Sequence, residues 1–249
     1  MIKTDSTFLH KYTVDYSDVD DKRTLRPSHL IDYFQSISVM HSDYMGYDLE
    51  FFETKQIGWV LLYWHVQINR WPAEGEELTI STWSTDHKRV QANRDFAIED
   101  KQGSEICYGA SRWVLIDTAL RRPAKPQKGF FDPYIFKNCR EFKPETFKMN
   151  PVPEREPNSI STYFVTRHDT DTNGHTNNAV YIDWSTDNVP NEIYENKSLK
   201  DIKVAYKKEC LRGTTVKIQT WIKGNEVISL FTDNDDEKII FGQVITLWH

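Results

Sequence analysis

The stretch YFVTRHDTD, Tyr163–Asp171, has a counterpart near the amino end, YTVDYSDVD, Tyr12–Asp20. Tyr12, Val14, Asp18 and Asp20 meet Tyr163, Val165, Asp169 and Asp171 at a constant offset of 151 residues. Without a gap, the same offset pairs IDY (Ile31–Tyr33) with IDW (Ile182–Trp184). Further on, EELTISTW (Glu76–Trp83) answers TTVKIQTW (Thr214–Trp221) at an offset of 138, because the first helical segment is longer. Matches in the same order at fixed spacing mark a duplicated unit.

Working outward, each copy reads as a short strand, a polar loop, a helix and then strands. In the first copy Pro27 suits a first helical turn. Leu30, Phe34, Ile37 and His41 follow at helical spacing, and Gly46 can end the helix. In the second copy the strand STYFVTR (Ser161–Arg167) precedes a helix expected from about Asn177 to Asn188, which stops before Pro190. β-Branched and aromatic runs follow in both, such as GWVLLYWHVQI in the first and DIKVAYKKE and KIIFGQVITLW in the second. Turn signals such as KQG, KGN and DNDDE separate several of them as hairpins. A single helix followed by an antiparallel meander must bury its apolar stripe in the curved sheet. The fold class expected is therefore α+β, a tandem hotdog. Residues 1–137 form the first unit, 138–158 a linker within a stretch rich in Pro and Lys, and 159–249 the second unit.

The chain has 249 residues, 39% of them hydrophobic, enough for a packed core in one large or two small domains. A net charge of −6 argues against nucleic-acid binding, which rests on phosphate neutralisation. The first residues, MIKTDSTFLHKYTV, lack the apolar core of a signal peptide. The most apolar run, IGWVLLYW (Ile57–Trp64), is too short for a bilayer. Cys107, Cys139 and Cys210 show no metal-ligand spacing and fit a reduced cytoplasm.

The polar loop Asp169–His175 admits three readings. As a calcium loop it fails at its twelfth position, Val180, which cannot close the cage with a carboxylate. As a plain turn, Asn173-Gly174 is well suited. As a catalytic loop it carries Asp171, Asn173 and His175 just before a helix amino terminus, whose N–H groups and dipole favour developing negative charge, worth roughly 3 kcal/mol per donor. Comparison of the two copies weighs these readings. Asn173 faces Lys22, His175 faces Thr24, Glu209 faces Trp71 and Cys210 faces Pro72. His, Asn and Glu therefore meet only in the second copy, which points to one active site there. Asp169 and Asp171 have partners in Asp18 and Asp20, so a structural role competes with a chemical one. Asn177 and Asn178 read as helix caps. On a continuous strand, Cys210 shares the parity of Ile202, Val204 and Tyr206, a core side, whereas Glu209 shares that of Lys203 and Lys207. A bulge before Gly213 would shift that register.

RHDTDTNGHTNNAVYIDW (Arg167–Trp184), followed by YKKECLRGT (Tyr206–Thr214), resembles the signature of acyl-acyl carrier protein thioesterases, the plant-type family with bacterial members. The resemblance implies a tandem hotdog fold and hydrolysis of fatty acyl-carrier thioesters. It places the catalytic set on Asp171, Asn173, His175 and Glu209, with Cys210 as an alternative nucleophile. It also implies that the first unit holds the acyl chain, making Ile37 and Met40 candidate pocket residues. No metal or cofactor is called for. Acyl carrier protein, which is acidic, is the expected partner. Lys203, Lys207, Lys208 and Arg212 around Glu209 are the candidate docking residues, with Arg121, Arg122, Lys125 and Lys128 as a second basic run. A homodimer is compatible with such a chain. The competing functions are a hotdog acyl-CoA thioesterase, a hydroxyacyl dehydratase, which needs an acid–base pair but no attacking water, and a non-catalytic acyl-binding module.

Overall fold

The computed structural model describes residues 3–4, 7–140, 148–172 and 174–249. The chain divides into two compact units: Met1–Leu62 with Ile68–Thr146, and Tyr63–Gln67 with Phe147–His249.

Unit 1 contains strands β1 (Lys3–Thr4), β2 (Thr7–Thr13), β3 (Ile57–Ile68, in its first half), β4 (Glu77–Lys88), β5 (Gln91–Glu99), β6 (Glu105–Asp117) and β7 (Arg122–Pro123). Its helices are α1 (Pro27–Tyr44) and α2 (Leu49–Lys55). The sheet runs β1-β2-β4-β5-β6-β3, with β7 paired to β6. Helix α1 starts with Pro27 in its first turn and ends where Gly46 adopts a φ of 86°, a conformation that costs glycine little. Its stripe Leu30, Phe34, Ile37 and His41 is buried. Each fully buried apolar side chain of this kind contributes about 1.5–3 kcal/mol. The ring of Phe34 stacks on Phe96 with centroids 4.6 Å apart. It also lies over Gly109, where a Cβ would come within 2.7 Å of the ring, so glycine there lets the helix approach the sheet. Met40 sits at the side of the helix, its sulfur accepting from the Tyr12 hydroxyl at 3.9 Å.

Unit 2 contains β8 (Ser159–Phe164), β9 (Leu199–Tyr206), β10 (Thr215–Lys223), β11 (Glu226–Asp233) and β12 (Ile240–Trp248), in the order β9-β12-β11-β10-β8. Tyr63–Gln67 pairs antiparallel with β9, in a register that sets His65 opposite Lys203. Helix α3 (Val180–Asp187) lies against this sheet and is followed by the short α4 (Asn191–Asn196). Tyr181 and Trp184 pack on Phe231, and the Ser185 hydroxyl donates to Ser229 Oγ at 3.0 Å. One helix on a curved antiparallel sheet, present twice, is the tandem hotdog arrangement.

The structure adds detail where sequence signals were weak. Helix α2 is fixed locally, by Asp48 accepting the Phe51 N–H at 2.9 Å and by Gln56 in the left-handed region. The stretch rich in Pro and Lys is not free chain over its described residues. Arg122–Pro123 pairs with β6, and Phe130 is buried with Tyr47 and Leu115 of unit 1. Met149 and Val152 pack against Trp221, Ile228, Leu230 and Ile245 of unit 2. Residues 141–147 of the expected linker lie outside the described residues. Among the described residues, no helix is long and apolar enough to cross a membrane.

Candidate active site

The loop that enters each helix is built by the same hydrogen bonds in both units. Asp20 N donates to Thr24 O at 2.9 Å, and Asp171 N to His175 O at 2.8 Å. Asp20 Oδ1 accepts from Thr24 N, and Asp171 Oδ1 from His175 N, both at 3.0 Å. Arg26 N donates to Asp18 O, and Asn177 N to Asp169 O. Leu25 N donates to Pro72 O, and Thr176 N to Cys210 O. Arg23 and Gly174, the equivalent residues within the loop, both have positive φ, 57° and 76°. The duplicated scaffold thus extends to backbone conformation and to the carboxylates that hold it.

On this common scaffold unit 2 carries different side chains. His175 forms a bridge with Leu211, as Thr24 does with Ala73, and this brings its ring to Glu209. His175 Nε2 lies 3.6 Å from Glu209 Oε2, with about a third or less of each side chain exposed. The pair can therefore meet water and substrate while staying oriented. Asn173 lies outside the described residues. Asp171 belongs to the same loop through its bond to His175 N.

Strand β9 ends at Tyr206, so Glu209 and Cys210 are not on a continuous strand as the sequence suggested. Lys207 N and Lys208 N both donate to Phe241 O, at 2.7 and 3.3 Å, which breaks the alternation there. Cys210 is nonetheless buried, at 2% exposure. Burial pushes its thiol up, against hydrogen bonds from Thr176, Thr214 and Tyr181 that pull the other way. Such a thiol is a weak nucleophile at neutral pH. Its carbonyl accepts both the N–H and the hydroxyl of Thr176, at 2.8 and 3.0 Å. Cys210 thus braces the loop from behind, while Glu209 faces His175.

The remaining loop residues serve the backbone. Asp169 accepts the N–H and hydroxyl of Thr166 at 2.7 and 2.6 Å. Its twin Asp18 is pushed up by burial but held below the ordinary carboxylate range by Tyr33, the Asp15 N–H and His29. Asn177 Oδ1 accepts the Ala179 N–H at 3.0 Å and its carbonyl accepts that of Val180 at 3.1 Å. Two of the N–H groups expected at the amino end of α3 are therefore already satisfied, while the helix dipole remains. Sequence reading passed over Thr176 and over Tyr206, whose hydroxyl donates to Asn178 O at 2.8 Å. Their signal was adjacency, since each flanks a motif already singled out. Lys203, Lys207, Lys208 and Arg212 are exposed, the last three on the segment that carries Glu209. Lys203 Nζ lies 3.7 Å from Asp201.

Residues 5–134 match the acyl-ACP thioesterase N-terminal domain, and residues 153–249 the acyl-ACP thioesterase C-terminal domain. The chain belongs to the acyl-ACP thioesterase family. Among its relatives, oleoyl-acyl carrier protein thioesterase 1, chloroplastic, of Arabidopsis thaliana is 26% identical over 225 residues, covering 84% of this chain and 62% of that protein. Palmitoyl-acyl carrier protein thioesterase, chloroplastic, of the same plant is 23% identical, covering 92% of this chain and 58% of that one. The chain therefore spans about three fifths of the length of these relatives. The fold is that of an acyl-ACP thioesterase crystal structure from Bacteroides thetaiotaomicron, with a TM-score of 0.88 and 23% identity over 98% of both chains. It is also that of the 12:0-ACP thioesterase from Umbellularia californica, with a TM-score of 0.87, 21% identity and coverage of 100% and 99%.

Proposed function

We propose that this member of the acyl-ACP thioesterase family hydrolyses the thioester between a fatty acyl chain and the phosphopantetheine arm of an acyl carrier protein. The observation that carries the reading is the His175–Glu209 pair, 3.6 Å apart, His175 standing on a loop whose twin in unit 1 keeps the same backbone and Asp-carboxylate bonds but has Thr24 in place of His175 and Trp71 in place of Glu209. In this reading Glu209 takes a proton from water as the water oxygen attacks the thioester carbonyl. The C–S bonding pair leaves with sulfur, and the proton taken up by Glu209 passes through the paired His175 to the thiolate, giving a carboxylic acid and a thiol with the pair restored. Asn173 orients the water or donates to the carbonyl oxygen, and Asp171 holds the loop. The acyl chain goes to the helix–sheet interior of unit 1, where Ile37 is buried on the inner stripe. The exposed Lys207, Lys208 and Arg212 favour an acidic carrier. Three free cysteines agree with a reducing compartment such as the cytoplasm.

Incubation of the purified protein with acyl-carrier substrate, followed by quantification of free thiol and free fatty acid in equal amounts, tests the reading. Loss of water from a hydroxyacyl substrate without thiol release would favour a dehydratase. Acyl binding without turnover would favour a binding module.

A further inference from the structure

In unit 2 the loop that carries His175 and the segment that carries Glu209 are tied together by two hydroxyl groups. Thr176 follows His175 in the chain, and Cys210 follows Glu209. The Thr176 N–H and hydroxyl both donate to the Cys210 carbonyl, at 2.8 and 3.0 Å. Asn178 lies three residues after His175, and Tyr206 three residues before Glu209. The Tyr206 hydroxyl donates to the Asn178 carbonyl at 2.8 Å. Its ring rests edge-on against Tyr181 of α3, with centroids 5.5 Å apart. Both hydroxyl bonds end on main-chain oxygens, so neither depends on the Cys210 thiol.

The duplication separates these hydroxyls from the needs of the fold. The offset of 151 sets Leu25 opposite Thr176 and Leu30 opposite Tyr181, and the offset of 138 sets Ile68 opposite Tyr206. All three unit 1 residues are buried. Strands β3 and β9 end at the equivalent residues Ile68 and Tyr206. The main-chain bond is common to both units, since Leu25 N donates to Pro72 O at 2.9 Å. Unit 1 therefore builds the same loop with leucine and isoleucine in these places. The fold requires apolar volume and the main-chain bond there, whereas a buried hydroxyl adds little net stability even when it is bonded. The hydroxyls occur in the unit that has His175 and Glu209, and they join the two segments that bear them.

We propose that Thr176 and Tyr206 are positioning residues, whose hydroxyls hold the two segments in register so that the His175 imidazole and the Glu209 carboxylate keep their 3.6 Å separation during the reaction. This rests on the reading of that pair as the hydrolytic one. Rates depend steeply on such geometry, since a misplacement of about 1 Å can cost about a hundredfold. The hydroxyls act on the main chain and not on the bound substrate, so their loss falls on kcat rather than on KM.

The experiment removes each hydroxyl from the full-length protein with little change of shape. Thr176→Val keeps the main-chain bond, and Tyr206→Phe keeps the ring against Tyr181. Each is expected to lower kcat for an acyl-carrier thioester by about tenfold while KM stays within about twofold. Thr176→Ser restores a hydroxyl and recovers most of the rate. A second readout needs no turnover. The carbon–proton NMR signal of the His175 ring, assigned by its absence in His175→Gln, shifts when Glu209→Gln is introduced, and the size of that response reports the pair. The response is expected to fall by about half or more in Thr176→Val and in Tyr206→Phe, and to return in Thr176→Ser. An unchanged response in the folded variants overturns the proposal, whatever their melting temperatures, and so does a wild-type kcat in both. If one variant does not fold, the other decides. A wild-type protein that releases no thiol would sink the hydrolase reading, and the ring response would still decide the positioning role.

Discussion

Asp171 Oδ1 accepts the backbone N–H of His175 at 3.0 Å, the bond that its twin Asp20 makes to Thr24 at the same distance. Since Asp20 makes it where no catalytic pair exists, the bond is part of the scaffold. Asp171→Asn keeps an oxygen at that point and is expected to retain turnover within about tenfold. Asp171→Ala leaves the His175 N–H without its acceptor and should lower both turnover and stability, the latter by about 1–3 kcal/mol. Steady-state rates and melting curves of the two variants check this. An inert Asp171→Asn with normal melting would make the carboxylate a reacting group instead.

A second prediction concerns pH. Burial pushes Asp95 up to about 6, against hydrogen bonds from the Tyr108 hydroxyl and the Arg140 N–H. Its folded pKa lies above the ordinary value of 3.8, so its protonated form is favoured on folding. The stability this gives is full below pH 4 and is lost as pH rises through 6, by about 3 kcal/mol at most. Asp95→Asn keeps an acceptor for Tyr108 and does not ionise. The melting temperature of the variant relative to wild type is therefore expected to climb between pH 4 and pH 6.5. Parallel curves would show that Asp95 titrates as an ordinary carboxylate.

Much of this was legible in the sequence because duplication leaves two copies to compare. The offset of 151 aligns Asp18 with Asp169 and Asp20 with Asp171, and equivalent hydrogen bonds join both pairs to their loops. The stripe Leu30, Phe34, Ile37 and His41 read correctly because one face of α1 is buried along its length. What was not legible depends on long-range partners. Periodicity cannot show that β9 ends at Tyr206, because Lys207 and Lys208 share one carbonyl on β12. Nor can composition show that Phe130 in a Lys- and Pro-rich stretch finds Tyr47, or that Arg94 in QANRDF points inward at His41. Helix α2 escaped because its seven residues rest on one Asp48 cap and are too short for a periodic signal.

A third prediction addresses the partner. Lys207 and Lys208 are exposed on the segment carrying Glu209. Reversing both charges is expected to raise KM for carrier-bound substrate several-fold, with a smaller effect on an acyl-coenzyme A of the same chain, and the difference should shrink with added salt. Equal effects on both substrates would remove the docking role from these lysines.

The central claim is that the carboxylate of Glu209, paired with His175, activates water, and that the buried thiol of Cys210 takes no covalent part. Turnover of an acyl-carrier thioester by Glu209→Gln and Cys210→Ala, purified and assayed side by side, tests it most directly. Glu209→Gln should lose at least roughly two decades of rate, the usual worth of a general base, while Cys210→Ala keeps most of it. An active Glu209→Gln beside an inert but folded Cys210→Ala would contradict the account and assign the reaction to a thiol nucleophile.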